Sequence, residues 1–389
     1  MTKPSSIGLV LTGGGARAAY QVGVLKAISD LMPGLQHPFR VICGTSAGAL
    51  NAAGLASGDN LFRHNIAHLE HLWTEIKPSD VYRFDAFNLT RRLQRLMPSL
   101  LSGKSEEAPG AILDNQPLRE YLSRALDFDV LTHNIEQGHL DAVGITACGY
   151  TSGQNLCFFQ GHQDIPAWNR TQRLGMRCTL SLDHLMASSA IPTLFPPVKI
   201  HREYFGDGAT RQMAHISPAL YLGASRVLVI GVSANRVVAP RRKQVYAVPT
   251  VAQVMENVLN GLFLDTLEYD IERLELINQL LELIPEKKRA AAGLDLRPVE
   301  LVHISPSQAI DDIAVKYINA LPLMLRRMMG RSLEVGEGGV SLASYLLFDK
   351  NFCRELIKLG YRDAQAQAKE LQHFFMENSQ QAMSIARSS

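Results

Sequence analysis

One short turn constrains the folding of this chain more than any other feature. Gly44, Thr45, Ser46, Ala47 and Gly48 form a Gly-x-Ser-x-Gly turn, which follows the mostly apolar run 39–43 and precedes the alanine-rich segment 49–56. Such a turn sits at a sharp strand-to-helix corner, where it exposes the serine hydroxyl while the glycines relieve crowding. The pattern therefore predicts an α/β unit with Ser46 as a candidate nucleophile at the carboxyl end of a strand.

A run of glycines comes earlier in the chain, in the same kind of position. Gly13, Gly14 and Gly15, followed by Ala16 and Arg17, come after the apolar run 7–11 and before apolar residues at helical spacing in 18–31. Consecutive glycines can turn backbone N–H groups inward at a helix N-terminus, where they bind negative charge. Acyl transfer needs such N–H groups beside an exposed hydroxyl. The two turns together supply both parts.

The same residues allow two other interpretations. Gly13, Gly15 and Ala18 fit the dinucleotide pattern G-x-G-x-x-G/A. That site expects a carboxylate near the end of the second strand, whereas Asp30 falls in the last turn of the first predicted helix. Ser46 could also simply cap a helix with its hydroxyl.

A serine needs a base within hydrogen-bond reach, because its hydroxyl is a weak nucleophile at neutral pH. The histidines in plausible places are His201, His215 and His303, but for each the sequence favours an ordinary surface or core residue. Asp207 lies between two glycines at the end of an aromatic strand, so it could project into a cleft, although Asp-Gly is also common turn chemistry. Burial would have to raise its basicity.

Three sequence blocks resemble, in composition and order, the signature of the patatin-like phospholipases. They are the loop 13–17, the turn 44–48, and Asp207 followed by Gly208 and Ala209. The stretches 187–192 and 195–197 resemble the connection that usually precedes the aspartate block. The likeness runs from about residue 7 to residue 232. Ala18 departs from the pattern, since many members have glycine there.

This resemblance implies a catalytic dyad, with Ser46 as nucleophile and Asp207 as its base, and without an obligatory histidine. Gly13, Gly14, Gly15 and Arg17 would form the oxyanion site, and no metal or organic cofactor would be required. The implied substrate is an acyl ester of a phospholipid or related lipid, cleaved through an acyl-enzyme that water hydrolyses or an alcohol intercepts. Three alternatives stay open: a Ser-His-Asp esterase using His303, a nucleotide-binding oxidoreductase, and a catalytically silent lipid-binding regulator.

Composition excludes several classes of protein. The chain has 389 residues, of which 46% are hydrophobic and 20% charged, enough for a large globular core. A net charge of +2 gives no electrostatic case for nucleic acid. Five scattered cysteines indicate a reducing compartment, and no Cys/His cluster has zinc-site spacing. No apolar run is long enough to span a bilayer. We expect a cytoplasmic protein whose membrane contact, if any, is peripheral.

The resemblance and the strand pattern together predict a three-layer α/β fold, in which helices flank a mostly parallel central sheet. We expect a catalytic domain over 5–305 and a helical C-terminal extension over 306–389. Further strands are predicted at 142–149, 156–160, 199–204, 225–231 and 299–304, and a long helix at 250–284. The segment 88–101 places three arginines beside an apolar face, which suits either an interfacial helix on anionic lipid or an ordinary packed helix. The sequence leaves the oligomeric state open.

Overall fold

The computed structural model describes residues 6–59, 61–84, 111–234, 261, 265–293, 296–329 and 339–376. The predicted segment 88–101 lies outside these residues, as does the first part of the helix predicted at 250–284. The strands are β1 (Ile7–Leu11), β2 (Val41–Thr45), β3 (Ala142–Gly149), β4 (Asn155–Gly161), β5 (Trp168–Arg170), β6 (Arg173–Arg177), β7 (Val198–Ile200), β8 (Glu203–Asp207), β9 (Arg226–Ile230) and β10 (Glu300–Ile304).

Helices connect and cover these strands. In chain order they are α1 (Ala19–Leu31), α2 (Ala47–Ala56), α3 (Phe62–Glu75), α4 (Pro78–Val81), α5 (Gln116–Ala125), α6 (Phe128–Glu136), α7 (Leu182–Ser188), α8 (Ser217–Tyr221), α9 (Asp265–Leu283), α10 (Glu286–Ala291), α11 (Ile310–Ala314), α12 (Leu323–Met329), α13 (Gly339–Leu346) and α14 (Lys350–Ala366). Short 3-10 turns occupy Gly15–Ala18, Gly208–Arg211 and Val315–Ala320, and a last helix covers 368–376.

All ten strands belong to one mixed sheet, whose main order is β10-β9-β1-β2-β3-β4-β6-β5. The first five strands in this order run parallel, with Leu11 opposite Gly44 and Thr45 opposite Thr146. Antiparallel pairing begins at β3, which contacts both β4 and β8. The carboxyl ends of β1 and β2, followed by the glycine loop and the serine turn, therefore meet at one edge.

Apolar side chains on both faces of the strands explain why helices cover both sides of the sheet. In β1, Leu9 and Leu11 belong to a large buried cluster with α1, α2, α3, α13 and α14. Val10 points the other way, into a smaller cluster that includes Ala219 of α8 and Ile271 of α9. Successive side chains of a strand point to opposite faces. The predicted three-layer fold is thus confirmed, with a sheet that is parallel from β10 to β3 and mixed from β3 to β5.

One prediction about a strand was wrong. The sequence suggested a strand through 199–204, whereas the chain there forms a hairpin in which Val198 pairs with Phe205 and Ile200 with Glu203. His201 lies in the tight turn, where its φ is 52°. Hairpin turns favour such positive φ values. The alternation of charged and apolar side chains on either side of the turn gave the appearance of one continuous strand.

The C-terminal helices pack directly on the first helix of the fold. A Cβ at Gly360 of α14 would lie 2.1 Å from the carbonyl oxygen of Tyr20 in α1, and a Cβ at Gly23 would lie 2.0 Å from the carbonyl oxygen of Ile357. The two helices approach so closely because each presents a glycine to the other's backbone. The Tyr20 hydroxyl also donates to Asp363 at 2.9 Å. The domain boundary near residue 305 stays a prediction.

Gly360→Ala is expected to lower the free energy of unfolding by about 1–3 kcal/mol, because the added methyl group must push α14 away from α1. Helix propensity alone would predict a stabilised protein, because it favours alanine over glycine by about 1 kcal/mol. Urea denaturation measures the change. The control is Gly34→Ala, where a Cβ would meet no heavy atom within 4 Å. A stabilised Gly360→Ala protein would show that the close contact is unimportant.

Candidate active site

Pairing within the sheet brings the serine turn and the aspartate block together. Thr45, which ends β2, lies opposite Thr146 of β3, and the next residue of β3, Ala147, lies opposite Asp207 of β8. Ser46 follows Thr45 directly. The two candidate residues therefore flank the same pair of β3 residues at the carboxyl edge of the parallel strands.

Ser46 has a strained backbone, with φ 55° and ψ −129°. A non-glycine residue in such a conformation costs on the order of 1–3 kcal/mol and persists only when its surroundings hold it. Close packing around the turn provides this restraint. A Cβ at Gly48 would lie 2.3 Å from the carbonyl oxygen of Leu11, and one at Gly44 would lie 2.5 Å from the Ala49 Cα. These glycines let α2 begin against β1, which fixes Ser46 at the corner.

The Ser46 hydroxyl donates a hydrogen bond of 2.6 Å to Asp207 Oδ2. Both residues are buried, with 2% of Ser46 and 0% of Asp207 exposed. The other carboxylate oxygen of Asp207 accepts from the Ala209 N–H at 2.9 Å. A Cβ at Gly208 would lie 2.1 Å from the Thr146 carbonyl oxygen, so the chain can turn tightly there only with glycine. Within the described residues, no histidine bonds to either side chain.

Burial raises the pKa of Asp207 to about 7, against the opposing effect of hydrogen bonds from Ser46 and Ala209. Desolvation penalises the charged form of a carboxyl group, so the proton is held more tightly than in water. A carboxylate with this pKa is a far better proton acceptor than an ordinary aspartate. The site thus combines a hydroxyl and a base of nearly neutral pKa in direct contact.

The three histidines considered from the sequence lie elsewhere. His201 is in the hairpin turn, and His215 contacts the Thr266 hydroxyl at 2.8 Å. His303 lies on β10, in register with Cys43 but three strands away from it. At about 4.8 Å per strand this separation is roughly 14 Å. Burial lowers the pKa of His303 to about 4, as it does for His215. None is within hydrogen-bond reach of Ser46.

The backbone of the glycine loop turns sharply beside Ser46. Gly15 has a φ of 55°, and Gly14 has a φ of 164° with a ψ of 18°. Among the described residues, the N–H groups of Gly13, Gly14 and Gly15 donate to no acceptor. Gly15 also lines the same cavity as Ser46 and Ala47. Buried N–H groups without acceptors at the start of a helix suit an anionic ligand.

Arg17 ties this loop to the C-terminal part of the chain. It is 3% exposed, and its guanidinium donates to Ser344 Oγ at 2.7 Å, Ser341 Oγ at 2.9 Å and Asp311 Oδ1 at 2.7 Å. It also stacks on the Tyr345 ring at 4.2 Å. With its donors engaged in this way, the side chain braces the loop and does not point into the cavity.

Helix α13 contacts the loop itself as well as Arg17. A Cβ at Gly15 would lie 2.2 Å from the Tyr345 carbonyl oxygen, so the loop lies directly against α13. No local pattern in the sequence predicts this contact, because its two sides are separated by more than 300 positions. Residues of the predicted C-terminal extension therefore form one wall of the site.

A buried amide network supports the other side of the loop. Asn51 of α2 donates to the Ala18 carbonyl at 3.0 Å and to Gln21 Oε1 at 2.9 Å, while Gln21 donates to the Thr12 carbonyl at 2.9 Å. The Trp73 N–H donates to Asn51 at 2.7 Å. Asn51 and Gln21 are fully buried. Both ends of the glycine loop are thus fixed by side chains from three helices.

Ser188 is a further residue that the sequence interpretation did not single out. Its hydroxyl accepts the Ser46 N–H at 2.8 Å and donates to the Thr146 carbonyl at 2.6 Å. It lies in the stretch 187–192 that was noted only for its resemblance to a family connection. Because the Ser46 N–H donates to Ser188, it is not available to bind a ligand.

An apolar cavity opens from Ser46 between the helices. Its walls come from α2, α3, α4, α5 and the segment around α13, and include Leu50, Leu69, Leu72, Trp73, Ile76, Leu118, Leu122, Ile191, Phe195, Leu346 and Phe348. Its lining is mostly apolar, and its few polar residues include Ser46 and Ser189. A mostly apolar lining with a few polar groups is typical of a site for a small molecule with a large apolar part.

Two other features bear on the remaining alternatives. Asp30 accepts from the Tyr361 hydroxyl at 3.2 Å in the last turn of α1, away from the end of β2 where a dinucleotide site needs its carboxylate. In the described part of the chain, no group of three or more potential ligands could hold a metal ion. Nor is any helix there long and apolar enough to cross a membrane.

Comparison with known proteins gives one family. The sequence profile described as Patatin-like phospholipase matches residues 9–220. Similar solved structures include human GIVD cytosolic phospholipase A2 in complex with methyl gamma-linolenyl fluorophosphonate, with 14% identity, a TM-score of 0.45, and coverage of 97% of this chain and 59% of the other. VipD from Legionella pneumophila has 13% identity, a TM-score of 0.38, and coverage of 94% and 67%. No curated protein matches.

The chain spans 59% to 67% of the length of these two solved structures. The match of the family profile extends from β1 to α8, so it includes the glycine loop, the serine turn and the aspartate block. It thereby confirms the resemblance found in the sequence and supports a lipid acyl hydrolase. This chain belongs to the patatin-like phospholipase family.

Proposed function

We propose that this protein is a serine esterase that cleaves acyl esters of phospholipids or related lipids through a Ser46–Asp207 dyad. The observation that carries the proposal is the 2.6 Å hydrogen bond from the Ser46 hydroxyl to a carboxylate that is fully buried. A nucleophile in contact with its base is the arrangement that nucleophilic catalysis requires. The family match and the apolar cavity support a lipid substrate.

In the first half of the reaction, Ser46 Oγ attacks the ester carbonyl while Asp207 takes the hydroxyl proton. The C–O bond to the leaving alcohol then breaks, and Asp207 returns the proton to that alcohol. In the second half, Asp207 takes a proton from the water that attacks the acyl-enzyme. The bond between the acyl carbon and Ser46 Oγ then breaks, which releases the acid, and Asp207 returns the proton to Ser46. The raised pKa of Asp207 suits both roles, since the carboxyl group must accept and release a proton near neutral pH.

The glycine loop would bind the oxyanion of each tetrahedral intermediate. Gly14 and Gly15 offer N–H groups that donate to no acceptor among the described residues, and Ala47 directly follows Ser46. The Ser46 N–H cannot contribute, because it donates to Ser188. Donors that are held in place before the reaction stabilise developing charge more effectively than mobile ones. We assign the acyl chain to the apolar cavity that leads from Ser46 past Leu50 and Trp73.

Asp207→Asn is expected to lower kcat by about 100- to 10,000-fold, because the amide cannot accept the serine proton. In the unmodified protein, kcat/KM should rise with pH through an apparent pKa near 7, since only ionised Asp207 acts as a base. Hydrolysis of a soluble short-chain ester over pH 5–9 measures both. Asp183→Asn, at an exposed carboxylate paired with Arg119, is the control. A value of kcat/KM that stays constant over pH 5–9 would contradict the assignment.

The same substitution should stabilise the protein at high pH. Asp207 has a pKa of about 7 when folded and an ordinary value of 3.8 when unfolded, so folding is penalised increasingly as the pH rises from about 4 to 7. Asp207→Asn removes this penalty. We expect a gain of up to about 4 kcal/mol at pH 8 and a smaller one at pH 5, since a pKa difference of one corresponds to about 1.4 kcal/mol.

Thermal unfolding of the two proteins at both pH values measures this effect. Ser46→Ala is the companion variant, because it removes the hydroxyl that donates to the carboxylate and leaves the buried charge in place. A loss of stability in Asp207→Asn that is the same at pH 5 and pH 8 would show that the buried carboxylate carries no penalty.

Arg17→Lys is expected to lower kcat by about 10- to 100-fold with little change in KM. Lysine keeps the charge but cannot bond to Ser344, Ser341 and Asp311 while stacking on a ring, so the glycine loop loses its brace. Removal of a single oxyanion donor costs about 100- to 1,000-fold, and displacement should cost less. Arg354→Lys, at an exposed pair with Glu75, serves as the control. Equal effects on KM and kcat would point to general destabilisation instead.

A further inference from the structure

Three adjacent turns project beyond the edge of the sheet that carries Ser46. The β3–β4 turn meets the β7–β8 hairpin, because the Tyr150 N–H donates to the Tyr204 carbonyl at 3.0 Å. It also meets the β5–β6 turn, where the Asn155 N–H donates to the Gln172 carbonyl at 3.3 Å. The segment that follows Asp207 also contacts the β3–β4 turn, because Arg211 donates to the Gly153 carbonyl at 2.9 Å. We call residues 150–154, 170–173, 199–204 and 211–213 the basic rim.

The basic rim is strongly positive, although the whole chain has a net charge of only +2. Its only acidic residue is Glu203, whose carboxylate accepts from the Thr151 and Ser152 N–H groups at 2.9 and 2.6 Å. Among the described residues, no ion pair involves its basic side chains. Those side chains belong to Arg170, Arg173, Lys199, Arg202 and Arg211.

Exposed amphipathic and apolar side chains accompany these charges. Tyr150 is 48% exposed, Tyr204 is 40% exposed and Met213 is 69% exposed. Lys199 lies over the Tyr204 ring, with its Nζ 5.9 Å from the ring centroid. Tyrosine is favoured where one end of a side chain is in an apolar medium and the other in water. Basic residues around such side chains fit the negatively charged headgroup layer of a lipid surface.

The basic rim lies close to the proposed catalytic residues. Ala147 of β3 is opposite Asp207, and Tyr150 follows three residues later, about 10 Å further along the chain direction. Strand β3 therefore connects the rim to the catalytic edge without an intervening loop. A lipid surface in contact with the rim would lie within reach of the mouth of the site.

From this geometry we infer that the basic rim docks the protein on an anionic lipid surface. The inference rests on the proposed function, since it names the surface from which the acyl ester substrate is taken. Charge complementarity selects the occupant: five basic side chains with one acidic residue favour anionic lipid over zwitterionic lipid. The exposed tyrosines and Met213 would enter the headgroup region, and the basic side chains would contact the lipid phosphates.

The test uses Ser46→Ala protein, so that binding is measured without hydrolysis. It is sedimented with phosphatidylcholine vesicles that either lack or contain phosphatidylglycerol. We expect the protein to bind only the vesicles that contain phosphatidylglycerol. Adding Lys199→Gln and Arg202→Gln should lower the partition coefficient roughly thirtyfold, because each charge contributes about 1 kcal/mol near such a surface. The matched control adds Lys287→Gln and Lys288→Gln, two exposed charges on α10, and should leave binding unchanged.

Equal binding to both kinds of vesicle, or equal losses in the test and control variants, would overturn the inference. Binding to neither would also overturn it and would direct attention to an acidic protein partner for the rim. A separate assay keeps this result distinct from the proposed function: hydrolysis of a soluble short-chain ester by protein with intact Ser46. Lys199→Gln with Arg202→Gln should leave this hydrolysis of the soluble ester unchanged. If the unmodified protein does not hydrolyse the soluble ester, the proposed esterase function itself is contradicted.

Discussion

The burial of Asp207 against Ser46 sets the conditions that the surrounding strands and helices have to meet. A carboxylate without solvent is costly, and among the described residues two hydrogen bonds compensate for the lost water. The strained backbone of Ser46 adds to this cost. Both conditions persist because the sheet holds β2, β3 and β8 in fixed register, while close packing at Gly48 and Gly208 leaves the two turns no room to relax. The central sheet and its core thus maintain a locally unfavourable site.

The N-terminal and C-terminal parts of the chain build this site jointly. The first two βα units supply the glycine loop and the serine, and β8 supplies the aspartate. Helix α13 then covers the loop, with Arg17 inserted between Ser344, Asp311 and the Tyr345 ring. The contact between α1 and α14 holds this cover in position through paired glycines. Residues of the predicted C-terminal extension therefore form part of the wall around Ser46.

Local patterns in the sequence located much of the fold and the principal residues of the site. The strands inferred at 7–11, 142–149, 225–231 and 299–304 lie within a residue of those observed. Most of them are buried on both faces, so they read as short, mostly apolar runs. The proximity of Ser46 and Asp207 followed from the resemblance alone, since no local rule relates positions so far apart. The partners of Arg17, the amides of Gln21 and Asn51, and the role of Ser188 were not predicted. Each depends on tertiary packing that brings distant segments together, which neither periodicity nor turn chemistry encodes.

The separation of Arg17 from its partners along the chain has a consequence for biosynthesis. Asp311, Ser341 and Ser344 are synthesised after the serine, the glycine loop and the aspartate have all emerged. Long-range contacts of this kind form late, because the intervening chain must first be ordered. A nascent chain that still lacks α13 would therefore hold Ser46 beside a glycine loop without its support. The loop would gain its brace only once α13 has been made and has packed against Arg17.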